Sequence, residues 1–128
     1  MGEEKSPPSQ AFEDFEVWKR SVRLSAELYK ALRELKDFGF RDQITRAGLS
    51  IPSNIAEGFE RESIKESINF FSYAKGSCGE LRTQIYIGVN IGYIENQKGK
   101  EWRQETVEIS SMLAGLIKAR RSFLREDE

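Results

Sequence analysis

Four glutamates stand close together near the middle of the chain, and carboxylates at short spacing could serve general acid–base or metal chemistry. They are Glu57, Glu60, Glu62 and Glu66. Arg61 and Lys65 lie among them, and charges at this helical spacing usually form a solvated, salt-bridged face. The chain contains no histidine, which removes the commonest general base and the commonest metal ligand. We therefore interpret the glutamates as a surface ion-pair network.

Nucleophilic chemistry finds equally little support in the sequence. Cys78 is the single cysteine and falls on the apolar side of a helical pattern, so we expect a buried, inert thiol. Ser50, Ser53 and Ser63 have no activating base nearby in sequence. Without histidine, neither a Glu-x-x-His di-iron site nor a common zinc site can be built. We predict no enzymatic activity, no metal and no cofactor.

A polar stripe at helical spacing is the most distinctive feature of the stretch 42–61. It comprises Gln43, Arg46, Ser50, Asn54, Glu57 and Arg61, beside an apolar face that includes Ile44, Ile51 and Ile55. The stripe could pair within the protein, contact a neighbouring subunit or present a ligand surface. We favour an internal network that also covers the backbone freed at Pro52, because a proline inside a helix removes one backbone donor.

Basic residues collect on the polar faces of two other helical patterns. We consider them candidate nucleic-acid ligands, since phosphate binding depends on clustered Lys and Arg. The candidates are Lys19, Arg23, Lys30 and Arg33 in the first pattern, and Arg103, Lys118, Arg121 and Arg125 in the last. A basic helix face is usually only solvated, so repetition around an oligomer would be needed to concentrate the charge.

The elements that must position these residues are four amphipathic helices, predicted over 13–36, 41–60, 63–93 and 100–124 from apolar residues three and four apart. We place connections at 37–40, with Gly39 after a helix end, and at 96–99. Pro52 predicts either a kink in the second helix or two helices joined end to end, and we favour the kink. The fold prediction is all-α: an antiparallel up-down-up-down four-helix bundle with a Pro-kinked second helix.

A second apolar strip on the third helix indicates assembly. Tyr73, Ile87, Ile91 and Ile94 lie away from its main apolar face, and a helix that is apolar on two faces is covered on two faces. The simplest second cover is another subunit. We therefore predict oligomer or structural contacts at these four residues and at Gln43, Arg46, Pro52, Asn54 and Glu57.

Length and composition limit the remaining possibilities. The 128 residues predict one domain over 12–125, with a disordered tail at 1–11 and an acidic tail at 126–128. A net charge of −1 excludes a polyelectrolyte binder, so any nucleic-acid surface must be local. No apolar run approaches the ~18 residues of a membrane span. The lone cysteine favours a reducing, cytoplasmic setting without a membrane partner.

Several runs resemble a known family. Gln43 to Ala47 followed by SIPSNIAEG at 50–58 is similar to the signature of four-helix-bundle proteins encoded in intervening sequences of bacterial 23S rRNA genes, often labelled ribosomal proteins. The pattern at 15–18, and at 74–81 with Gly92 and Tyr93, extends the similarity over about 12–123. Three departures are a shortened loop at 36–40, where the family commonly has a longer one containing Phe-Pro, Thr45, where a second arginine is frequent, and Ser67, where an aromatic is usual.

The resemblance implies a homopentameric ring without known enzymatic activity. A related branch resembles the accessory protein of diversity-generating retroelements, which associates with a reverse transcriptase and nucleic acid. Two functions follow as hypotheses: a homo-oligomer that associates with structured RNA or a ribonucleoprotein, or a protein-interaction adaptor such as a reverse transcriptase subunit. A ribosomal RNA intervening sequence around the gene would favour the first, and an adjacent reverse transcriptase gene the second.

Overall fold

The computed structural model describes residues 11–127, with side chains described from 11 to 124. Within that range the chain forms four α-helices and one short 3-10 helix, without a strand. The elements are the 3-10 helix Phe12–Asp14, α1 (Glu16–Ala31), α2 (Phe38–Glu60), α3 (Ile64–Asn90) and α4 (Asn96–Asp127). Each helix contacts its neighbours in sequence, and α1 also contacts α4. The predicted all-α four-helix bundle is confirmed.

The predicted tails are only partly covered by the described residues. Ala11 is described, whereas the rest of the predicted tail at 1–11 and the last residue of the chain lie outside the described range. Glu126 and Asp127, which we assigned to an acidic tail, belong to α4. The last helix therefore ends later than the apolar pattern predicts. It also begins earlier.

Two side-chain caps determine where the middle helices begin. The carboxylate of Asp37 accepts a hydrogen bond from the Phe40 amide at 3.1 Å, and the Ser63 hydroxyl accepts one from the Glu66 amide at 3.3 Å. Such caps satisfy backbone donors that lack a partner inside the helix. The first starts α2 at Phe38, so Gly39 lies in its first turn instead of following α1. That detail of the prediction is wrong.

The end of α3 also differs from the prediction. Gly92 has φ +85°, which suits a residue without a Cβ. The Tyr93 amide donates to the Gly88 carbonyl at 2.8 Å and the Gly92 amide to that of Val89 at 3.1 Å. These two bonds form a Schellman cap, which ends the helix at Asn90. The turn therefore lies at 91–95, and α4 already begins at Asn96, inside the predicted 96–99 turn.

Pro52 lies inside a helix that continues without interruption from Phe38 to Glu60. The alternative of two helices joined end to end is therefore wrong, whereas the kink stays a prediction. Pro52 offers no N–H to the carbonyl four residues earlier. The next two carbonyls accept side-chain hydrogen bonds: Leu49 from the Ser53 hydroxyl at 3.0 Å, and Ser50 from the Asn54 amide at 2.9 Å. These two bonds reach the carbonyls next to the one that the proline frees, which belongs to Gly48.

The core lies between the apolar faces of all four helices, and its largest fully buried side chain is Phe71. Gly48 lets α1 approach α2, because a Cβ there would stand 2.6 Å from Leu28 Cδ1. Phe15 stacks on Phe59 at 4.1 Å between ring centres and so holds the start of α1 against the end of α2. The α2–α3 and α3–α4 interfaces are far more extensive than the α1–α4 interface.

Candidate assembly and nucleic-acid surfaces

The polar stripe of α2 is partly an internal network, in agreement with the favoured interpretation. The Ser50 hydroxyl donates to Ser77 of α3 at 2.6 Å, and Arg61 pairs with Glu57 at 2.6 Å and approaches Glu66 at 4.0 Å. These ion pairs confirm the expected salt-bridged face around Arg61. The rest of the stripe borders a groove of 410 Å³ between α2 and α3, lined by Gln43, Arg46, Ala47, Ser50, Ser77 and Glu80.

The second apolar strip of α3 is exposed at three of its four predicted positions. Tyr73 is 57% exposed, Ile87 46% and Ile91 52%. Ile94 is not part of this exposed strip, because it is only 5% exposed, and of the two predicted roles it has the structural one. The turn at Gly92 returns the chain onto α3, where a Cβ at Gly88 would stand 2.5 Å from Ile94 Cδ1. Ile94 therefore belongs to the subunit core.

Pro52 is also buried within the subunit. It can therefore affect assembly only through the shape of α2, not through direct contact. Gly76 and Gly79 of α3 show the opposite situation, because a Cβ added at either position would meet no described atom within 4 Å. Neither glycine is required for packing among the described residues, although each costs up to ~1 kcal/mol in a helix relative to alanine.

The candidate bases of α1 lie apart from those of α4. Lys19 and Lys30 are exposed. Arg23 borders a 210 Å³ cavity at the α1–α4 interface, whose lining includes Glu27 and Glu101. Arg33 borders a separate depression with Asp42 of α2. All four positions thus face solvent or acidic neighbours, and the structure does not join them to the basic residues of α4.

The bases of α4 lie towards α3. The Arg103 guanidinium stands 4.2 Å from the centre of the Tyr86 ring, a cation–π contact. Arg121 follows Arg103 by five helical turns and shares its side of α4, with Lys118 nearby; both are exposed. The Arg125 side chain lies outside the described residues. The eight predicted bases therefore form two groups on different sides of the bundle.

Sequence reasoning missed two polar clusters that hold the helices together. Arg20 of α1 donates to Glu105 at 2.7 and 2.8 Å and also to Glu108, and these hydrogen bonds raise the pKa of Arg20. Arg120 of α4 donates to Ser67 at 3.1 Å, and Ser67 donates to the Gly58 carbonyl. Ser67 is fully buried in this second cluster. A signal was present, since both arginines fall near the apolar side of their helical patterns.

The candidate nucleophiles are buried or form hydrogen bonds that stabilise the helices. Cys78 is buried, and burial raises the pKa of its thiol to about 12, although the charges of Arg82 and Lys75 oppose the shift. The expected burial of the thiol is confirmed. Ser53 donates to a backbone carbonyl, and Ser63 caps α3. Within the described part of the chain, no cluster of three His, Cys, Asp or Glu side chains could hold a metal ion.

No helix among the described residues combines the length and the apolar character needed to cross a membrane.

Comparison with known proteins finds similarity to one protein family and to solved structures. The family model described as 23S rRNA-intervening sequence protein matches residues 13–115. A solved structure from Bacteroides thetaiotaomicron, described as a protein with unknown function from the S23 ribosomal protein family, superposes with a TM-score of 0.75 at 27% sequence identity. The match covers 80% of this chain and 98% of that one. No curated protein matches. Since the family model spans most of the bundle, the chain belongs to the 23S rRNA-intervening sequence protein family.

Proposed function

We propose that the protein is a non-enzymatic homo-oligomer, a ring of five subunits, that associates with structured RNA or a ribonucleoprotein. The exposed outer side of α3 carries the proposal. Tyr73, Ile87 and Ile91 are large apolar residues exposed to about half of their surface on this side. Large apolar side chains exposed on one side of a helix are typical of an interaction site. The number five comes from the family resemblance.

A glycine on the same helix supports close approach of a second subunit. Gly76 lies beside the exposed strip by helical period, between the tyrosine and the isoleucines in sequence, with open space beyond its Cα among the described residues. Small residues allow neighbouring helix backbones to approach closely. A helix from another copy of the chain would cover this open space and the apolar side chains at both ends of the strip.

Light scattering tests the assembly. We expect micromolar protein to give five times the 14.7 kDa subunit mass. The double variant Ile87→Glu, Ile91→Glu should dissociate to the subunit mass, because association would bury two charges without partners. The matched control is Tyr29→Glu, which places a charge at an exposed apolar residue of α1. A monomeric wild type, or a folded double variant with unchanged mass, would contradict the proposal.

Association with RNA is supported by the family description, which names the 23S rRNA intervening sequence, and by the basic side chains of α4. Filter binding with a labelled RNA stem-loop tests it. Retention should fall as salt rises, with a slope that corresponds to several phosphates. Absence of salt-sensitive retention at low ionic strength would remove RNA from the proposal and leave the assembly claim standing.

The non-enzymatic part rests on the chemistry of the described groups. The thiol of Cys78 has a raised pKa and is buried, so little reactive thiolate is present near neutral pH. The Ser50 hydroxyl is engaged with Ser77 and with the Ala47 carbonyl. A substrate turned over by the pure protein, with loss of turnover on mutation of a cavity residue, would refute this part.

The alternative is a protein-interaction adaptor, such as an accessory subunit for a reverse transcriptase. A 320 Å³ depression between α1 and α4, lined mainly by apolar residues including Phe15, Val17, Met112 and Leu116, favours it. Such a surface suits an apolar anchor from a partner protein. Genomic context distinguishes the two functions: a reverse transcriptase gene beside this one favours the adaptor, and a surrounding ribosomal RNA intervening sequence favours the first proposal.

A further inference from the structure

The acids and bases of α4 lie on different sides of the helix. Glu105 and Glu108 bind Arg20 of α1. Glu101 borders the cavity at the α1–α4 interface together with Arg23. The acids of α4 among its described side chains therefore all face α1. Its side towards α3 carries bases and small polar residues instead.

The acids of α3 are arranged in the same way relative to α2. Glu66 approaches Arg61, the residue that follows α2, at 4.0 Å. Glu80 lines the groove between α2 and α3 beside Arg46. These are the two acidic residues of α3. Consequently the surface along the α3–α4 interface, which we call the α3–α4 seam, has no acidic side chain among its described residues.

Basic residues occupy the α3–α4 seam along most of its length. Lys75 donates to Ser110 of α4 at 3.2 Å, and Arg82 lies two helical turns further along the same side of α3. Lys75 precedes buried Cys78 by three residues and Arg82 follows it by four, so both basic residues lie within about one turn of Cys78 on α3. By helical period, the other bases on this side are Lys65, Lys100, Arg103, Lys118 and Arg121.

An aromatic ring stands within this basic surface. Tyr86 is 53% exposed, and Arg103 lies over one face of its ring at 4.2 Å. A guanidinium on one face fixes the ring and leaves the rest of it open to solvent. Proteins that bind single-stranded RNA stack an unpaired nucleobase on an exposed aromatic ring that has basic side chains beside it.

We propose that the α3–α4 seam binds an unpaired RNA strand, with Lys75, Arg82 and Lys118 on phosphates along the strand and one nucleobase stacked on Tyr86. The proposal rests on the RNA association proposed above and names its surface. This interface leaves out the basic residues of α1, which the sequence pattern indicates as candidate nucleic-acid ligands. It adds Lys75, Arg82 and Tyr86 of α3, which the sequence pattern does not indicate.

The geometry favours a single strand over a duplex. Bases in an A-form duplex are stacked on one another, so a protein ring can stack only on a base that is unpaired or at an end. From Lys65 to Tyr86 the helix extends about 30 Å, which suits a strand of several nucleotides. A duplex would meet the charges of the α3–α4 seam but not its aromatic ring.

Fluorescence anisotropy with labelled oligouridine of about 12 nucleotides tests the proposal, a length within the usual range for single-strand sites. Wild-type affinity should fall roughly fiftyfold between 50 and 200 mM salt if about four phosphates are contacted. The triple variant Lys75→Gln, Arg82→Gln, Lys118→Gln should bind at least tenfold more weakly and have a smaller salt slope. Tyr86→Leu should weaken binding roughly fivefold to 150-fold with the slope unchanged.

The matched control is Lys19→Gln, Arg23→Gln, Lys30→Gln, which removes the same charge from α1 and should change affinity less than about twofold, being away from the proposed site. Equal loss in this control, an unaffected Tyr86→Leu, or tighter binding of duplex RNA or of oligothymidine would overturn the proposal. If the stem-loop RNA binds but these seam variants leave its affinity unchanged, the seam is wrong and the proposed function stands. If the wild type binds neither RNA, the RNA part of the proposed function fails as well.

Discussion

The side of α4 that faces α1 carries glutamates and a buried tryptophan, whereas the side that faces α3 carries arginines, lysines and serines. On the α1 side, Arg20 binds Glu105 and Glu108, and the Trp102 indole donates to Glu27 at 3.0 Å. On the α3 side, an apolar interface is extensive and the bases at its rim contact serines and Tyr86. The charged residues on one side of α4 thus pair with α1, whereas those on the other side can bind a partner.

This difference bears on stability as well as on binding. Three cavities, of 210, 320 and 310 Å³, lie along the α1–α4 interface. Water-accessible ion pairs contribute little to folding, whereas fully buried apolar side chains contribute most of the favourable free energy. We therefore expect α1 to be the least firmly attached helix and the three-helix interface of α2, α3 and α4 to dominate the free energy of unfolding.

The largest effect should come from the apolar side of α4. Leu113 is fully buried, and Leu113→Ala should reduce the free energy of unfolding by about 2–5 kcal/mol, because it removes buried apolar surface and leaves a cavity. Urea unfolding followed by circular dichroism measures the change. The volume-conserving control Leu113→Met should lose less than about 1.5 kcal/mol. A loss for the alanine variant no larger than that of the control would refute the dominance of this interface.

An intermediate effect should come from the polar contact within the interior near the end of α4. Ser67 accepts a hydrogen bond from Arg120 and donates to the Gly58 carbonyl. Ser67→Ala should cost about 1–3 kcal/mol, since it leaves a buried carbonyl without a partner. Ser72→Ala, at an exposed position of the same helix, is the control and should stay within about 0.5 kcal/mol of the wild type. Equal stability of the two variants would show that the buried bond contributes nothing.

The sequence predicts the four helices and most of the core because the helical period is strong in every segment. It predicts the buried Cys78 for the same reason. It does not predict that Ile94 is buried, since this depends on the chain reversal at Gly92, which places the side chain over Gly88. A glycine within an apolar period is compatible with both a helix interior and a helix end, so the pattern alone could not distinguish them.

The helical period of a single helix also does not predict how charged residues are distributed over the assembled bundle. The period shows that Arg103 and Glu105 point in different directions, but not which neighbouring helix each one meets. That information depends on the handedness and closure of the bundle. The sequence therefore predicts one set of candidate ligands from the basic residues of α1 and α4. In the structure, the neighbours of the basic residues of α4 are Lys75, Arg82 and Tyr86 of α3.

The smallest effect on the free energy of unfolding should come from the α1 side of α4. This effect should depend on pH in one direction only. The hydrogen bond from Arg20, assisted by Gln104, holds the pKa of Glu108 below its ordinary value. A carboxylate whose pKa is lower in the folded state stabilises the fold above its unfolded pKa and loses this contribution as pH falls through the folded pKa. Arg20→Met retains much of the apolar stem and should cost about 1 kcal/mol or less at pH 7, because the cluster is screened by water.

The difference in unfolding free energy between wild type and Arg20→Met should therefore be greatest at neutral pH. It should shrink as the pH falls below the ordinary glutamate value of about 4.3, since the wild type then loses the ion pair that the variant already lacks. Urea titrations at neutral and acidic pH measure the two curves, with Arg23→Met as control because Arg23 is exposed beside the same cavity. A difference that stays constant on acidification would mean that Arg20 holds α1 by packing rather than by charge.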